Sequence, residues 1–390
     1  MSKLKESTQS INNRNMTYTE REIWSQPSIW ERVYGQVRSE KQSIISFIQE
    51  AVSTNNLNIV LTGAGSSAYI GLSLIGAFMR NLKTPTVAVS TTDIVTHPLY
   101  YFSVDVPVLL ISFARSGNSP ESVAATRIAD QICRKVYHLI ITCDASGDLA
   151  GYITDSPKYV FILPAEANDK SLAMTSSYSG MLLTGLLISK IYEIDTIENQ
   201  VKILAQYGQK LLDQSEVFKR IAEMNFERCV FLGSGPLFGT ATESHLKLQE
   251  LTDGEIICKN DSFLGFRHGP KAVINPKTLV FLLFSNQDSV KPYETDLIIS
   301  LSKGKSPLYT VGFIESGTIK ARLDKVFVLS PAGSQLEEEF LAVCFILPAQ
   351  MIGFYKSVQL GMNPDNPSSS GAISRVVEGV KIYPYKYQKS

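Results

Sequence analysis

The sequence predicts an α/β protein: two tandem doubly wound parallel-sheet domains, preceded by helices and followed by an irregular C-terminal strap. Three observations carry this. At 390 residues the chain is about twice the length of a domain of about 100–200 residues. Its strands read as continuous apolar runs, such as Val108-Leu109-Leu110-Ile111, the pattern of strands covered by helices on both faces. A rhythm of strand, Gly-rich turn, helix and further strands returns after about 170 residues, a whole-domain repeat.

Residues 1–16 are polar, rich in Ser and Asn, and expected to be poorly ordered. Thr17 to Val52 shows helical periodicity, with Ile23, Trp30, Val33, Val37, Ile44 and Ile48 on the buried faces. In the first repeat, strands are predicted over 58–62, 86–90, 107–113, 136–142 and 159–163, with helices over 66–82, 119–133 and 172–193. In the second, strands are predicted over 228–232, 255–259, 278–284, 307–312 and 325–329, with helices over 237–253, 291–303 and 335–357. Glu337-Glu338-Glu339 after Ser334 reads as a capping box with first-turn acids.

Five segments follow: a tail and helices over 1–55, a first domain over 56–195, a solvated linking helix over 196–225, a second domain over 226–360 and a strap over 361–390. The strap begins Gly361-Met362-Asn363-Pro364-Asp365-Asn366-Pro367. Proline, asparagine and serine at that density do not build a core, so the segment is expected to lie over a surface.

Composition excludes several function classes. Lys plus Arg and Asp plus Glu number 37 each, so no field attracts nucleic acid or an anionic membrane. A hydrophobic share of 44% with 19% charged residues describes a soluble globular chain. Cys133, Cys143, Cys229, Cys258 and Cys344 are widely spaced without a Cys-x-x-Cys pair, as in a reduced, cytoplasmic protein. The longest apolar helix candidate, Met181 to Ile188, is far short of a span of about 20 residues.

The chemistry concentrates after the third strand of the first repeat, where an apolar run breaks into Ala114-Arg115-Ser116-Gly117-Asn118-Ser119-Pro120. A turn that opens a helix presents free N–H groups to an anion, and Arg115, Ser116 and Ser119 add side-chain donors. Ser119-Pro120 is also an ordinary N-cap with Pro at the first helical position, and the two readings are compatible. The earlier turn, Gly63-Ala64-Gly65-Ser66-Ser67-Ala68, fits a dinucleotide fingerprint. The next strand, however, ends in Ser90-Thr91-Thr92 rather than in the acid that a ribose needs. Ser66 and Ser67 suit a sugar phosphate better, and no nucleotide is expected.

The second repeat has Gly233-Ser234-Gly235-Pro236 at the matching turn but no arginine after its third strand. It carries instead Glu243 and Glu250, seven residues apart on one helical face, and then Phe266-Arg267-His268-Gly269-Pro270. A carboxylate and a histidine beside a sugar can move protons between neighbouring carbons. The local pattern equally allows a surface pair of Glu243 with Lys247 and a turn-capping His268. His97, His138 and His245 have no ligand spacing, so no metal is expected.

Taken together and in this order, the Gly-Ala-Gly-Ser-Ser turn, Ala-Arg-Ser-Gly-Asn-Ser, Glu-Ser-His-Leu-Lys-Leu-Gln-Glu and Phe-Arg-His-Gly-Pro-Lys-Ala-Val-Ile resemble tandem sugar isomerase (SIS) domain proteins. The likeness runs from about Thr17 to the C-terminus, includes the lead-in Arg21-Glu22-Ile23-Trp24-Ser25-Gln26-Pro27, and is greatest to the AgaS group of galactosamine-6-phosphate deaminase/isomerases. By resemblance to the isomerase domain of glucosamine-6-phosphate synthase, Ser67, Ser116 and Ser119 would bind phosphate and Arg115 stands where the synthase has glutamine. Glu250 would shuttle the proton, and His268 would open the sugar ring from a neighbouring subunit, which implies a homodimer or larger assembly. Ile373 replaces the synthase's strap lysine, leaving Arg375 and Lys381 as candidate substitutes. The chain starts without a glutaminase domain, so the deaminating direction is expected: galactosamine 6-phosphate to tagatose 6-phosphate and ammonium, without cofactor. A fructosamine-6-phosphate deglycase shares the same proton chemistry. A non-catalytic sugar-phosphate sensor would need neither Glu250 nor His268.

Overall fold

The computed structural model describes residues 16–301, 303–377 and 379–385. The polar tail expected to be poorly ordered lies, apart from Met16, outside these residues. Two helices open the fold, α1 (Tyr18–Ser39) and α2 (Lys41–Val52). Every apolar residue expected on their inner faces is buried. Thr17 caps α1 by accepting from the Glu20 N–H.

The first sheet contains β1 (Asn58–Gly63), β2 (Thr86–Ser90), β3 (Val108–Ala114), β4 (Val136–Thr142) and β5 (Lys158–Ile162) in the spatial order β2-β1-β3-β4-β5. Its helices are α3 (Ser66–Leu82), α4 (Thr91–Thr96), α5 (Pro120–Ile132) and α6 (Ser176–Ser189). Helices α7 (Glu198–Leu212) and α8 (Ser215–Ala222) follow. The second sheet contains β6 (Arg228–Gly233), β7 (Ile257–Asp261), β8 (Thr278–Leu283), β9 (Tyr309–Ile314) and β10 (Lys325–Val328) in the order β10-β9-β8-β6-β7. Around it lie α9 (Pro236–Leu251), α10 (Lys291–Leu301), α11 (Glu338–Cys344) and α12 (Leu347–Gln359).

All strand pairs are parallel, and the registers repeat. Asn58 pairs with Val108 in the first sheet as Arg228 pairs with Thr278 in the second. Both sheets reverse their winding between the first and third strands, and doubly wound sheets open a crevice at that point, outside the strand carboxyl ends. Alternate side chains separate the two faces of each sheet. Leu61, Ile111, Phe231 and Phe281 join one central core shared by both sheets and the helices between them. Val60 and Leu110 face an outer core under α5, and Val230 and Val280 face another under α10.

Several boundaries differ from expectation for local reasons. The helix expected over 172–193 starts at Ser176, because the buried Asp169 carboxylate accepts the N–H groups of Thr175, Ser176 and Ser177 and fixes the first turn. The single linking helix is two, α7 and α8, and both bury an apolar face. The helix expected over 335–357 is also two, with Pro348 in the first turn of the second. No capping box forms there: Ser334 Oγ bonds Ser316 Oγ, while Glu337 pairs with Lys190 at 2.8 Å. Among the described residues, the 338–359 stretch, rather than 181–188, is the one long and apolar enough by composition to cross a membrane, yet 89% of it is buried inside the fold. All five cysteines are free, and Cys258 alone is partly exposed.

Candidate active site

A cavity of about 430 Å3 opens at the switch point of the first sheet. Five segments of the chain line it: the turn after β1, the end of β3 with the turn that follows, Leu172 with Met174, the last turns of α9, and strap residues 371–377. The turn after β1 is tight because it must be. Gly65 has φ +54°, and a Cβ on Gly63 would lie 2.6 Å from Ser67 atoms. Ser66 and Ser67 therefore start α3 at the cavity wall. Gly235, with φ +56°, repeats the turn before α9.

Ser116 and Ser119 also line the cavity. Ser119 is the N-cap of α5 with Pro120 following, but its hydroxyl makes no cap bond. The turn is held open by Leu149 N–H donating to Gly117 O, and by Asp148 N–H donating to Asn118 Oδ1. Hydroxyls at the start of a helix form an anion cradle. Arg115 lies in the same wall, but its guanidinium is turned elsewhere. Nη1 donates to the Ser171 and Leu172 carbonyls at 3.2 and 3.0 Å, and Nη2 to the Arg375 carbonyl at 2.6 Å.

Facing the hydroxyls, Glu250 reaches the cavity from α9 with its side chain 24% exposed. Lys247 Nζ lies 2.6 Å from Glu250 Oε2 and 3.3 Å from Glu243 Oε1, the latter without hydrogen-bond alignment. Lys247 and Glu243 are fully buried, so their i,i+4 relation is no surface pair. Burial pushes Glu243 up to about 7; Lys247 opposes that and Glu250 adds to it. Burial opposes the charge on Lys247, but Glu243 and Glu250 outweigh it and raise its pKa, so the amine stays protonated. Gly239 allows this helix to approach α3, since a Cβ there would lie 2.3 Å from Ser73 Oγ.

Of the predicted residues, His268, Lys381 and the fully buried Glu243 lie outside the lining. His268 is exposed, next to a short helical turn, and does not line the cavity. Lys381 is exposed, with Nζ 5.1 Å from the Tyr383 ring centroid, and also lies outside the lining. Arg375 lines the cavity but directs its guanidinium at the Asp169 carbonyl and Asn168 Oδ1. Neither Arg375 nor Lys381 thus turns its cation toward Glu250. The cation in contact with Glu250 is Lys247, which the sequence offers only as a surface partner of Glu243 although positions 243, 247 and 250 share one helical face. Among the described residues, no three His, Cys, Asp or Glu side chains converge as metal ligands do.

A SIS-domain model matches residues 53–189. A D-galactosamine-6-phosphate deaminase AgaS from Shewanella sp. is 38% identical over 97% of this chain and 95% of its own length. This chain belongs to the AgaS family of SIS-domain proteins. Two solved structures share the fold. A tagatose-6-phosphate ketose/aldose isomerase from Escherichia coli superposes with TM-score 0.87 at 33% identity, over 95% of this chain and 97% of that one. A candidate enzyme of the same description from Clostridium novyi gives TM-score 0.92 at 39% identity, over 94% and 95%. Within the AgaS fold, the first sheet supplies the hydroxyl cradle and the second supplies the charged helix.

Proposed function

We propose that the chain is a galactosamine-6-phosphate deaminase that works by aldose–ketose isomerisation. The observation that carries this is Glu250, paired with a protonated Lys247 and opening onto a cavity whose facing wall is a hydroxyl-lined helix start. Relatives of this length and identity named for that activity support the substrate.

The phosphate sits on Ser67, Ser116 and Ser119 at the start of α5, which fixes the sugar so that one carboxylate reaches both C1 and C2. Glu250 takes the C2 proton of the open-chain amino aldose. Lys247 faces the negative charge that develops on the C1 oxygen and supplies its proton, giving an enolamine. Glu250 then returns its proton to C1, and the nitrogen of the resulting iminium gives a proton back to Lys247, which leaves an imine at C2. Water adds to that imine, ammonium leaves, and the ketose 6-phosphate remains. Ring opening falls to His268, which is exposed on its own protomer and serves the cavity of a neighbouring copy in a homodimer.

Ammonium release from galactosamine 6-phosphate and glucosamine 6-phosphate, compared without added metal or cofactor, tests the reading. Release from the galacto sugar is expected. Release from neither overturns the reading.

A further inference from the structure

We infer that Arg115 is a positioning residue that latches the C-terminal strap across the cavity. It acts through the strap rather than as a ligand of the sugar phosphate. The inference rests on the cavity being the active site proposed above.

The loop 168–172 is the anchor. Glu22 of α1 accepts the Lys170 and Ser171 N–H groups and the Ser171 hydroxyl. Asp169 accepts the N–H and hydroxyl groups of Thr175, Ser176 and Ser177. Two buried carboxylates with that many donors make the loop a rigid post. The strap is tied to it at two places. Near its start, Leu172 N–H donates to the Asp365 carbonyl, and the Asp365 carboxylate accepts the Tyr18 and Thr19 N–H groups at the head of α1. Further on, Arg115 spans the Ser171, Leu172 and Arg375 carbonyls while the Arg375 guanidinium returns to the Asp169 carbonyl.

Between those ties, residues 371–377 form the roof of the cavity, and among the described residues 361–385 contain neither helix nor strand. Only local turn bonds lie within it, such as Gly371 N–H to the Ser368 carbonyl and Ile373 N–H to Ser368 Oγ, so without a helix or sheet ladder the segment keeps its place through its side ties. A planar guanidinium is suited to three carbonyls that diverge; an ammonium offers its donors from one point. Carbonyls carry no net charge, and the opposite charges that support the Arg115 cation are the carboxylates of Asp169 and Glu250, which act on it through space.

The test is a double-mutant cycle with a proteolytic readout. In the full chain, Arg115→Gln is expected to raise KM and lower kcat, reducing kcat/KM about tenfold, and to speed tryptic cleavage after Arg375 and Lys381 by a similar factor. In a full-length chain already carrying Arg375→Ala, the same substitution is expected to change kcat/KM less than about twofold, because the tie it breaks is already loosened. Arg115→Lys should fail to restore either property. Arg375→Ala, which breaks the other half of the tie, should also release the strap and serves if Arg115 variants do not fold. An undiminished loss in the Arg375→Ala background, full rescue by lysine, or unchanged proteolysis each overturns the latch. Absence of turnover in the unaltered protein overturns the deaminase reading instead, and the proteolysis still decides the latch.

Discussion

The two sheets share strand order, register and Gly-rich turn, yet their switch points hold different things. After β3, the chain places Ser116 and Ser119 at an open cavity. After β8, about 170 residues later, the Ser285 N–H is taken by both oxygens of Glu294 from α10, at 3.1 and 3.2 Å. The Asn286 amide is held by Glu315 and the Leu336 carbonyl. Where the first domain leaves donors for a ligand anion, the second domain fills them with its own carboxylates. The cost of that choice is visible: burial pushes Glu294 up to about 8, with the backbone donor opposing and Glu338 adding to it. The second domain then contributes at a distance: α9 brings Lys247 and Glu250 to the first domain's cavity, with Glu243 fully buried beside Lys247. One copy keeps the anion cradle, and the other supplies proton chemistry.

The sharpest way to break this division is to remove its acid–base half. Glu250→Gln is expected to lower kcat by about 10²–10⁴-fold with little change in melting temperature; a folded variant with full turnover would refute the assignment. Glu250→Gln and His268→Asn chains, each inactive alone, are expected to recover about a quarter of normal activity when unfolded and refolded together, since each mixed dimer holds one intact site. No recovery would place His268 outside a neighbour's cavity. Lys247→Met strands two carboxylates and is expected to cost about 3–5 kcal/mol of stability, measured by denaturant unfolding.

Two smaller effects sharpen the contrast between the switch points. Ser119→Ala is expected to raise KM for the phosphorylated sugar about tenfold, from loss of a hydrogen bond worth about 1.5 kcal/mol. Ser289→Ala, the matched position in the second repeat, should leave KM unchanged. Glu294 is a carboxyl whose folded pKa lies above its ordinary value, so its stabilising contribution is complete below about 4.5 and is lost as pH rises toward 8. Glu294→Gln keeps an acceptor without the titration. It is expected to flatten the fall in stability between those limits and to leave turnover unaltered. An unchanged slope would show that Glu294 titrates as an ordinary carboxyl.

Much of the architecture was legible in the chain. Apolar runs such as 108–113 mark strands covered on both faces, and Gly63-x-Gly65 and Gly233-x-Gly235 mark turns that no Cβ fits. Ser119-Pro120 marks a helix start, and Ser67, Ser116, Ser119 and Glu250 do share one cavity. Less legible were the helix ends at Ser176 and Glu338. The first is set by Asp169 reaching forward to three N–H groups, a contact that periodicity does not report.

By itself the sequence determined which segments become strands and helices, and which turns carry hydroxyls, because those follow from neighbours along the chain. Only the tertiary structure decided what each charge does. Lys247 looks like half of a surface pair, but helix packing against α3 buries it between two acids. Arg115 looks like an anion ligand, but a loop 56 residues on and a strap 260 residues on bring carbonyls to its donors. The energy of a charge depends on what surrounds it in space, and burial and long-range partners are fixed only when the chain has folded.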